Sequence, residues 1–273
     1  MVARHTIGLG DPLTATDVTD ETRADDNLPL DLEACVKAYG LTHFKIKVCG
    51  DLAIDLPRLR KITELLDPQT LFTLDGNEQY VSISAFREHW EAWRKDAALR
   101  AFLDTGLLLV EQPAHRDETF HDKVAEDFAD WPDRPPFIID EADGSIDSLP
   151  KALALGYDGA SHKNCKGIVK GIANAATLAK AGSVRDRPVH LTGEDLANVG
   201  PIALLQDLAI MTTLGIEHVE RNGHHYFRGL SAWPQPVQAT ILAHHGDLYD
   251  PHSDGYPSLR IENGHLNLKT VNA

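Results

Sequence analysis

The feature that most constrains this chain is an alternation. Short apolar runs recur along its 273 residues, each separated from the next by a stretch with helical periodicity. The runs begin with a strand expected at Arg4 to Leu9 and one at Phe44 to Cys49, followed by Leu71 to Asp75, Gly106 to Glu111 and Pro136 to Asp140. They continue through Gly159 to Lys163, Pro188 to Thr192 and Ile216 to Glu220. Helical patterns fall at Asp31 to Ala38, Leu52 to Leu66, Ser84 to Leu99, Ser148 to Leu155, Ile168 to Ala181, Pro201 to Thr213 and Ala232 to His244. Continuous apolar runs are the mark of parallel strands buried on both faces. Strand and helix alternating about eight times in roughly 250 residues predicts an α/β fold of the (β/α)8 TIM-barrel type. A doubly wound open sheet is the competitor, and no G-x-G-x-x-G turn follows the first strand to favour it. Asp11 to Asn27 is polar and acidic and reads as a long loop.

The run Phe44-Lys45-Ile46-Lys47-Val48-Cys49 carries the chemistry forward. Alternation along a strand puts Lys45 and Lys47 on one face and Phe44, Ile46 and Val48 on the other. If helices cover the apolar face, the two ammonium groups look into a cavity, because a charged lysine packed against helices without a partner is too costly. Two solvated lysines on an edge strand are the plain alternative; the acids downstream weigh against it.

Asp75, Glu111 and Asp140 each end an apolar run, and in a parallel barrel the strand C-termini open on one face. Three carboxylates gathered there repel one another unless a cation lies between them, and hard oxygen donors select Mg2+, with Mn2+ as the alternative. Asp140 and Glu141 are adjacent, so one faces inward. With Ile139 packed outward, Ile138 and Asp140 form the inward pair and Glu141 becomes a supporting or loop residue. Lys163 ends the next run, placing Lys47 and Lys163 on strands that flank the acidic arc. Lys166 and Lys170 read as solvated helix residues, and His162 as pointing away. A barrel lysine can instead form a Schiff base with a carbonyl substrate, which makes a lyase using Lys163 a second reading.

Composition narrows the partners. A net charge of -15 argues against nucleic acid and anionic membrane, though a bound cation and two lysines would still admit an acidic small molecule. No run is long and apolar enough to span a bilayer and no signal-peptide core opens the chain, so the expected location is the cytoplasm. Cys35, Cys49 and Cys165 fit no metal or redox spacing and read as small apolar residues.

Lys45-Ile46-Lys47, Leu74-Asp75-Gly76-Asn77, Val110-Glu111-Gln112-Pro113, Ile139-Asp140-Glu141 and His162-Lys163-Asn164, in this order, resemble the barrel domain of the enolase superfamily. The nearest branch is the mandelate racemase and muconate lactonizing enzyme-like group, in its two-lysine subgroup. The resemblance covers essentially the whole chain and implies a modified (β/α)7β barrel. It implies Mg2+ held by Asp75, Glu111 and Asp140, and removal of the proton α to a substrate carboxylate through an enediolate. It further implies Lys47 and Lys163 as the catalytic bases, with Lys45 beside the substrate carboxylate and Asn77 in substrate binding. The expected activity is that of a racemase, epimerase, cycloisomerase or dehydratase of a small carboxylic acid.

Members of that superfamily begin with a capping domain, which is expected to be absent or truncated here, so residues 1–273 are expected to form a single barrel domain. Residues 1–30 are then its first strand and long loop. Residues 252–273 are an extension toward the missing cap, with a hairpin at Leu259 to Leu268. A barrel mouth left uncovered should expose apolar side chains around Tyr226 and Phe227 and favour a homo-oligomer. A non-catalytic metal-binding barrel that needs a separate cap is the third reading. The ends of the seventh and eighth runs, His190 to Asp195 and Glu217 to Asn222, should line the pocket; His224 and His225 read equally as loop residues or ligands.

Overall fold

The computed structural model describes residues 1–20, 26–194, 198–221 and 224–271. Eight strands are laid side by side in chain order: β1 (Val2–Ile7), β2 (His43–Lys47), β3 (Leu71–Asp75), β4 (Leu107–Glu111), β5 (Phe137–Ile139), β6 (Gly159–His162), β7 (His190–Glu194) and β8 (His218–Arg221). The last returns to the first, with Val2 opposite His218 and Arg4 opposite Glu220 in parallel register, so the sheet is a closed barrel. Helices α1 (Leu32–Tyr39), α2 (Leu52–Leu65), α3 (Ile83–Trp93), α4 (Ala97–Gly106), α5 (Asp122–Ala129), α6 (Ser148–Leu155), α7 (Ile168–Gly182), α8 (Ile202–Thr213) and α9 (Gln235–His244) connect or follow the strands. The barrel expected from the alternation is therefore the one observed.

The chain divides into two compact units, one of Met1–Thr6, Gly10–His43 and Gly193–Ala273, the other of Ile7–Leu9 and Phe44–Thr192. The second unit holds β3 to β6 and α2 to α7. Its core stacks Phe72 on Phe102 at 4.2 Å between ring centroids and gathers Phe86, Phe128 and Trp131 around Phe137. Phe44, Ile46 and Val48 are buried, as a helix-covered strand face requires. Gly159 is fixed by close approach, since a Cβ there would stand 1.9 Å from the His190 carbonyl oxygen. That spacing leaves no room for a side chain where β6 meets β7.

Two helix boundaries differ from expectation for local reasons. The pattern Ser84 to Leu99 predicts one helix, but the chain breaks after Trp93. Asp96 then caps a new helix by accepting hydrogen bonds from the Ala98 and Leu99 amides at 3.0 and 3.1 Å. Short α5 is the helix that the alternation requires between Glu111 and Asp140 without fixing its bounds; it buries Val124 and Phe128 and lies in a stretch rich in acids and punctuated by prolines.

In the first unit, Asp31 caps α1 by accepting from the Ala34 amide, and Gly40 closes the helix at φ +61°. A Cβ on Gly40 would meet the Asn263 Cα at 2.9 Å. Leu204, Leu208 and Met211 of α8 and Val219 of β8 form the buried apolar centre. The C-terminal hairpin lies earlier than expected. β9 (Tyr249–Pro251) pairs antiparallel with β10 (Pro257–Leu259), and Leu259 to Leu268 supplies only a tight turn bridging Glu262 and His265. Positive φ at both Asn263 and Gly264 is the backbone that such a turn demands. Tyr226 and Phe227 are about half exposed. Residues 21–25 of the acidic stretch lie outside the described residues. Among the described residues no helix is long and apolar enough to cross a membrane.

Candidate active site

Lys45, Lys47, Asp75, Asn77, Glu111, Asp140 and Lys163 all lie in the second unit. Register brings the acids onto one face. Asp75 stands opposite Glu111 across β3 and β4, and Glu111 opposite Ile138 across β4 and β5. Asp140, two residues beyond Ile138, continues that face by the two-residue period of a strand. All three carboxylates are buried, and an oxygen of Glu111 lies within 4.8 Å of one of Asp140.

The lysines are distributed along this row. Lys45, 2% exposed, places Nζ 2.7 Å from Asp75 Oδ2 and 3.1 Å from Glu111 Oε1, bridging two acids. Lys47, 26% exposed, donates from Nζ to Asn77 Oδ1 at 2.6 Å and stands 3.9 Å from Asp75 Oδ2. At the other end of the row, Lys163 Nζ is 3.0 Å from Asp140 Oδ2. Burial opposes ionisation of Asp140, but Lys166, Lys45 and Lys163 outweigh it and hold the carboxyl well below the usual range. Glu141 behaves oppositely. Burial raises its pKa, and the neighbouring Asp140 and Glu111 charges push the same way.

The supporting contacts explain how the row is kept in place. The Asn77 amide donates to Asp75 Oδ1 at 2.8 Å from a turn in which Asn77 and Glu78 both have positive φ. Glu78 is held there by a two-pronged pairing with Arg116, Nε to Oε1 at 2.8 Å and Nη2 to Oε2 at 2.7 Å. Gln112, also at positive φ, is buried; its Oε1 accepts from the Asp140 and Ala142 amides while its Nε2 donates to Ala114 O and Thr119 Oγ1. Asn77 Nδ2 donates to Glu141 Oε1 at 3.3 Å, linking the Asp75 turn to the residue after Asp140.

The expectation for Lys166 and Lys170 is corrected. Neither is solvated: Lys166 Nζ lies 2.6 Å from Asp140 Oδ1 and donates to the Asp140 and Ser161 carbonyls, while Lys170 Nζ lies 2.7 Å from Asp143 Oδ2. The turn Asn164–Lys166 bends the chain back toward Asp140, so a lysine four residues past β6 reaches the end of β5. Gln112 and Lys166 support the acid row, a role that the sequence reading assigned to neither. Gln112 had a signal, because a Gln-Pro step directly after an acid-terminated strand marks a forced turn; Lys166 had none. His162 is buried with its Nε2 2.9 Å from Asn164 Oδ1. In the first unit, Glu220 accepts from Thr6 Oγ1 at 2.7 Å and Glu194 is buried; Asp195 and Asn222 lie outside the described residues.

Buried carboxylates that each already hold an ammonium nitrogen at 2.7 to 3.1 Å form a cluster suited to positive charge. Their all-oxygen chemistry fits a hard divalent cation. A parallel barrel with such acids at its strand C-termini is a catalytic scaffold of the TIM-barrel class. Residues 30–256 match the family model described as enolase C-terminal domain-like, and the chain belongs to that family.

Solved structures with the same fold include a mandelate racemase/muconate lactonizing protein from Herpetosiphon aurantiacus, 20% identical, covering 81% of this chain and 54% of that one at a TM-score of 0.58. An N-succinyl Arg/Lys racemase from Bacillus cereus is 18% identical over 99% of this chain and 62% of its own, at a TM-score of 0.58. The L-Ala-D/L-Glu epimerase from Bacillus subtilis is 18% identical over 97% and 62%, at 0.54. The chain thus spans 54% to 62% of the length of these proteins, and at these identities the likeness is one of fold. A search of curated proteins found no match.

Proposed function

We propose that the chain is the catalytic barrel of a two-lysine member of this family, acting on a small carboxylic acid by metal-assisted removal and return of the α-proton. The observation that carries this reading is the placement of Lys47 and Lys163 at opposite ends of the buried acid row, one beside Asp75 and the other against Asp140. Asp75, Glu111 and Asp140 would hold Mg2+ or Mn2+, which when bound offsets the negative charge that develops on the substrate carboxylate as the proton leaves. Lys45, buried between two of the acids, would turn its ammonium to the same carboxylate and add a hydrogen bond where charge accumulates. Asn77, already accepting from Lys47 and donating to Glu141, would orient the Lys47 amine toward the α-carbon.

With a lysine on each side of the substrate plane, a neutral amine takes the proton and the opposite ammonium can give one back. Return from the opposite side inverts the centre and gives racemisation or epimerisation. Loss of a β-group after removal gives elimination. The N-succinyl Arg/Lys racemase and the dipeptide epimerases among the structural neighbours make N-acylated amino acids and dipeptides the first substrates to try.

In D2O, incubation with such a panel should wash deuterium into the α-position of at least one compound, followed by NMR, and EDTA should stop it. Exchange that continues in EDTA, or borohydride trapping of a carbonyl compound on Lys163, would replace this reading with Schiff-base chemistry.

A further inference from the structure

His5 of β1, Cys35 of α1 and His225 in the segment after β8 come together inside the first unit, remote in sequence and outside the acid row. One ligand atom from each lies within 4.8 Å of the other two, and the side chains are buried, at 3%, 1% and 7% exposure. The His5 and His225 rings pack at 4.6 Å between centroids. We propose that His5, Cys35 and His225 form a second metal site, selective for Zn2+ over the hard cations that the carboxylate row would take.

Two further observations point to a ligand. His225 Nδ1 is buried and has no hydrogen-bond partner among the described residues, a state that is costly unless something binds there. The neighbouring hydrogen bonds also set the His5 tautomer. His224 Nδ1 lies 3.2 Å from the Arg221 carbonyl, to which it must donate, so its Nε2 accepts from His5 Nδ1 at 3.3 Å. That leaves the His5 lone pair on Nε2, the arrangement by which a supporting contact orients a metal-ligating imidazole.

The electrostatics agree with the geometry. Burial keeps His5 well below its ordinary pKa and lowers His225 to about 4, so both rings are neutral ligands at neutral pH. Without a cation the Cys35 thiol is pushed up to about 12 by burial and by the Asp31 and Asp11 charges. A divalent ion reverses that preference, because coordination deprotonates a thiol outright. Zinc binding therefore forms a sulfur–zinc bond and releases one proton from Cys35 to the buffer. Two imidazoles and a thiolate suit Zn2+ and leave a fourth position for solvent or for Asp11, whose charge acts on both Cys35 and His225.

Cobalt is the reporting probe. Chelator-treated full chain titrated with Co2+ should develop a thiolate-to-cobalt charge-transfer band that saturates at one equivalent. Zn2+ should remove it and Mg2+ should not. Cys35→Ser should lose the band although Cys49 and Cys165 remain, while Glu111→Gln should keep it. His225→Gln, checked for native circular dichroism, should bind cobalt about tenfold more weakly or worse. A folded wild-type chain with no charge-transfer band overturns the proposal, as does a band that survives Cys35→Ser or an affinity unchanged by His225→Gln.

Discussion

Lys163→Ala is expected to slow α-proton exchange of one stereoisomer by about 10²- to 10⁴-fold while leaving divalent-metal affinity within a few-fold of wild type. The first effect follows from removing the amine that stands 3.0 Å from Asp140 Oδ2 at one end of the acid row. The second follows from Lys166, which remains 2.6 Å from Asp140 Oδ1 and keeps that carboxylate ionised when Lys163 is gone. Lys47→Ala should show the mirror pattern, losing exchange of the opposite stereoisomer, because Lys47 lies at the Asp75 end with Asn77 as its partner. NMR of each isomer in D2O separates the two variants. Loss of both isomers to the same extent in each variant would mean that the lysines act as one group, and equal exchange by both variants and wild type would mean that neither is the base.

Asp158→Ala should be the most damaging single change to the second unit, costing about 3–5 kcal/mol of stability, the loss expected when one partner of a buried ion pair is removed. Asp158 is buried and accepts from Arg134 Nη1 at 2.6 Å, from Arg187 Nε at 3.0 Å and from the Phe137 amide at 3.0 Å, with Arg185 at 3.4 Å. Without it, Arg134 is left buried and uncompensated between β5 and β6. The same cluster sets an acid limit. Burial opposes the Asp158 charge, but Arg187 and Arg134 outweigh it and hold its pKa below the ordinary value of 3.8. Its unfolded form therefore takes up a proton first as pH falls, so its stabilisation is complete above about pH 3.8 and is lost below it, toward the depressed folded value. Urea midpoints measured from pH 7 to pH 3 should fall more steeply for wild type than for Asp158→Ala below pH 4. A loss under about 1 kcal/mol at neutral pH would show that the arginines find water instead.

What the sequence disclosed and what it hid follow from the range of the interactions. Apolar runs are local, so the eight strands and the helix around residues 31–38 were legible from spacing alone. The face shared by Asp75, Glu111 and Ile138 was legible too, because strand period and parallel register together determine it. The break between α3 and α4 was missed because the Ser84 to Leu99 pattern stays amphipathic through Asp96, and only the cap geometry ends the first helix. Lys166 was misjudged because its contact with Asp140 depends on a turn after β6 that no periodicity encodes. The gathering of His5, Cys35 and His225 depends on closure of the first strand against the last, and is invisible to any spacing rule for metal ligands along one segment.

The most direct test of the central claim is the anomalous difference map of crystals grown with Mn2+, read at the strand C-termini of the second unit. One strong peak is expected, coordinated by carboxylate oxygens of Asp75, Glu111 and Asp140, with Lys45 Nζ withdrawn from the position where it now bridges Asp75 and Glu111. A map with no peak there at saturating Mn2+, the three acids still closed on Lys45, Lys163 and Lys166, would make this row a permanent ion-pair network and contradict the metal-assisted reading.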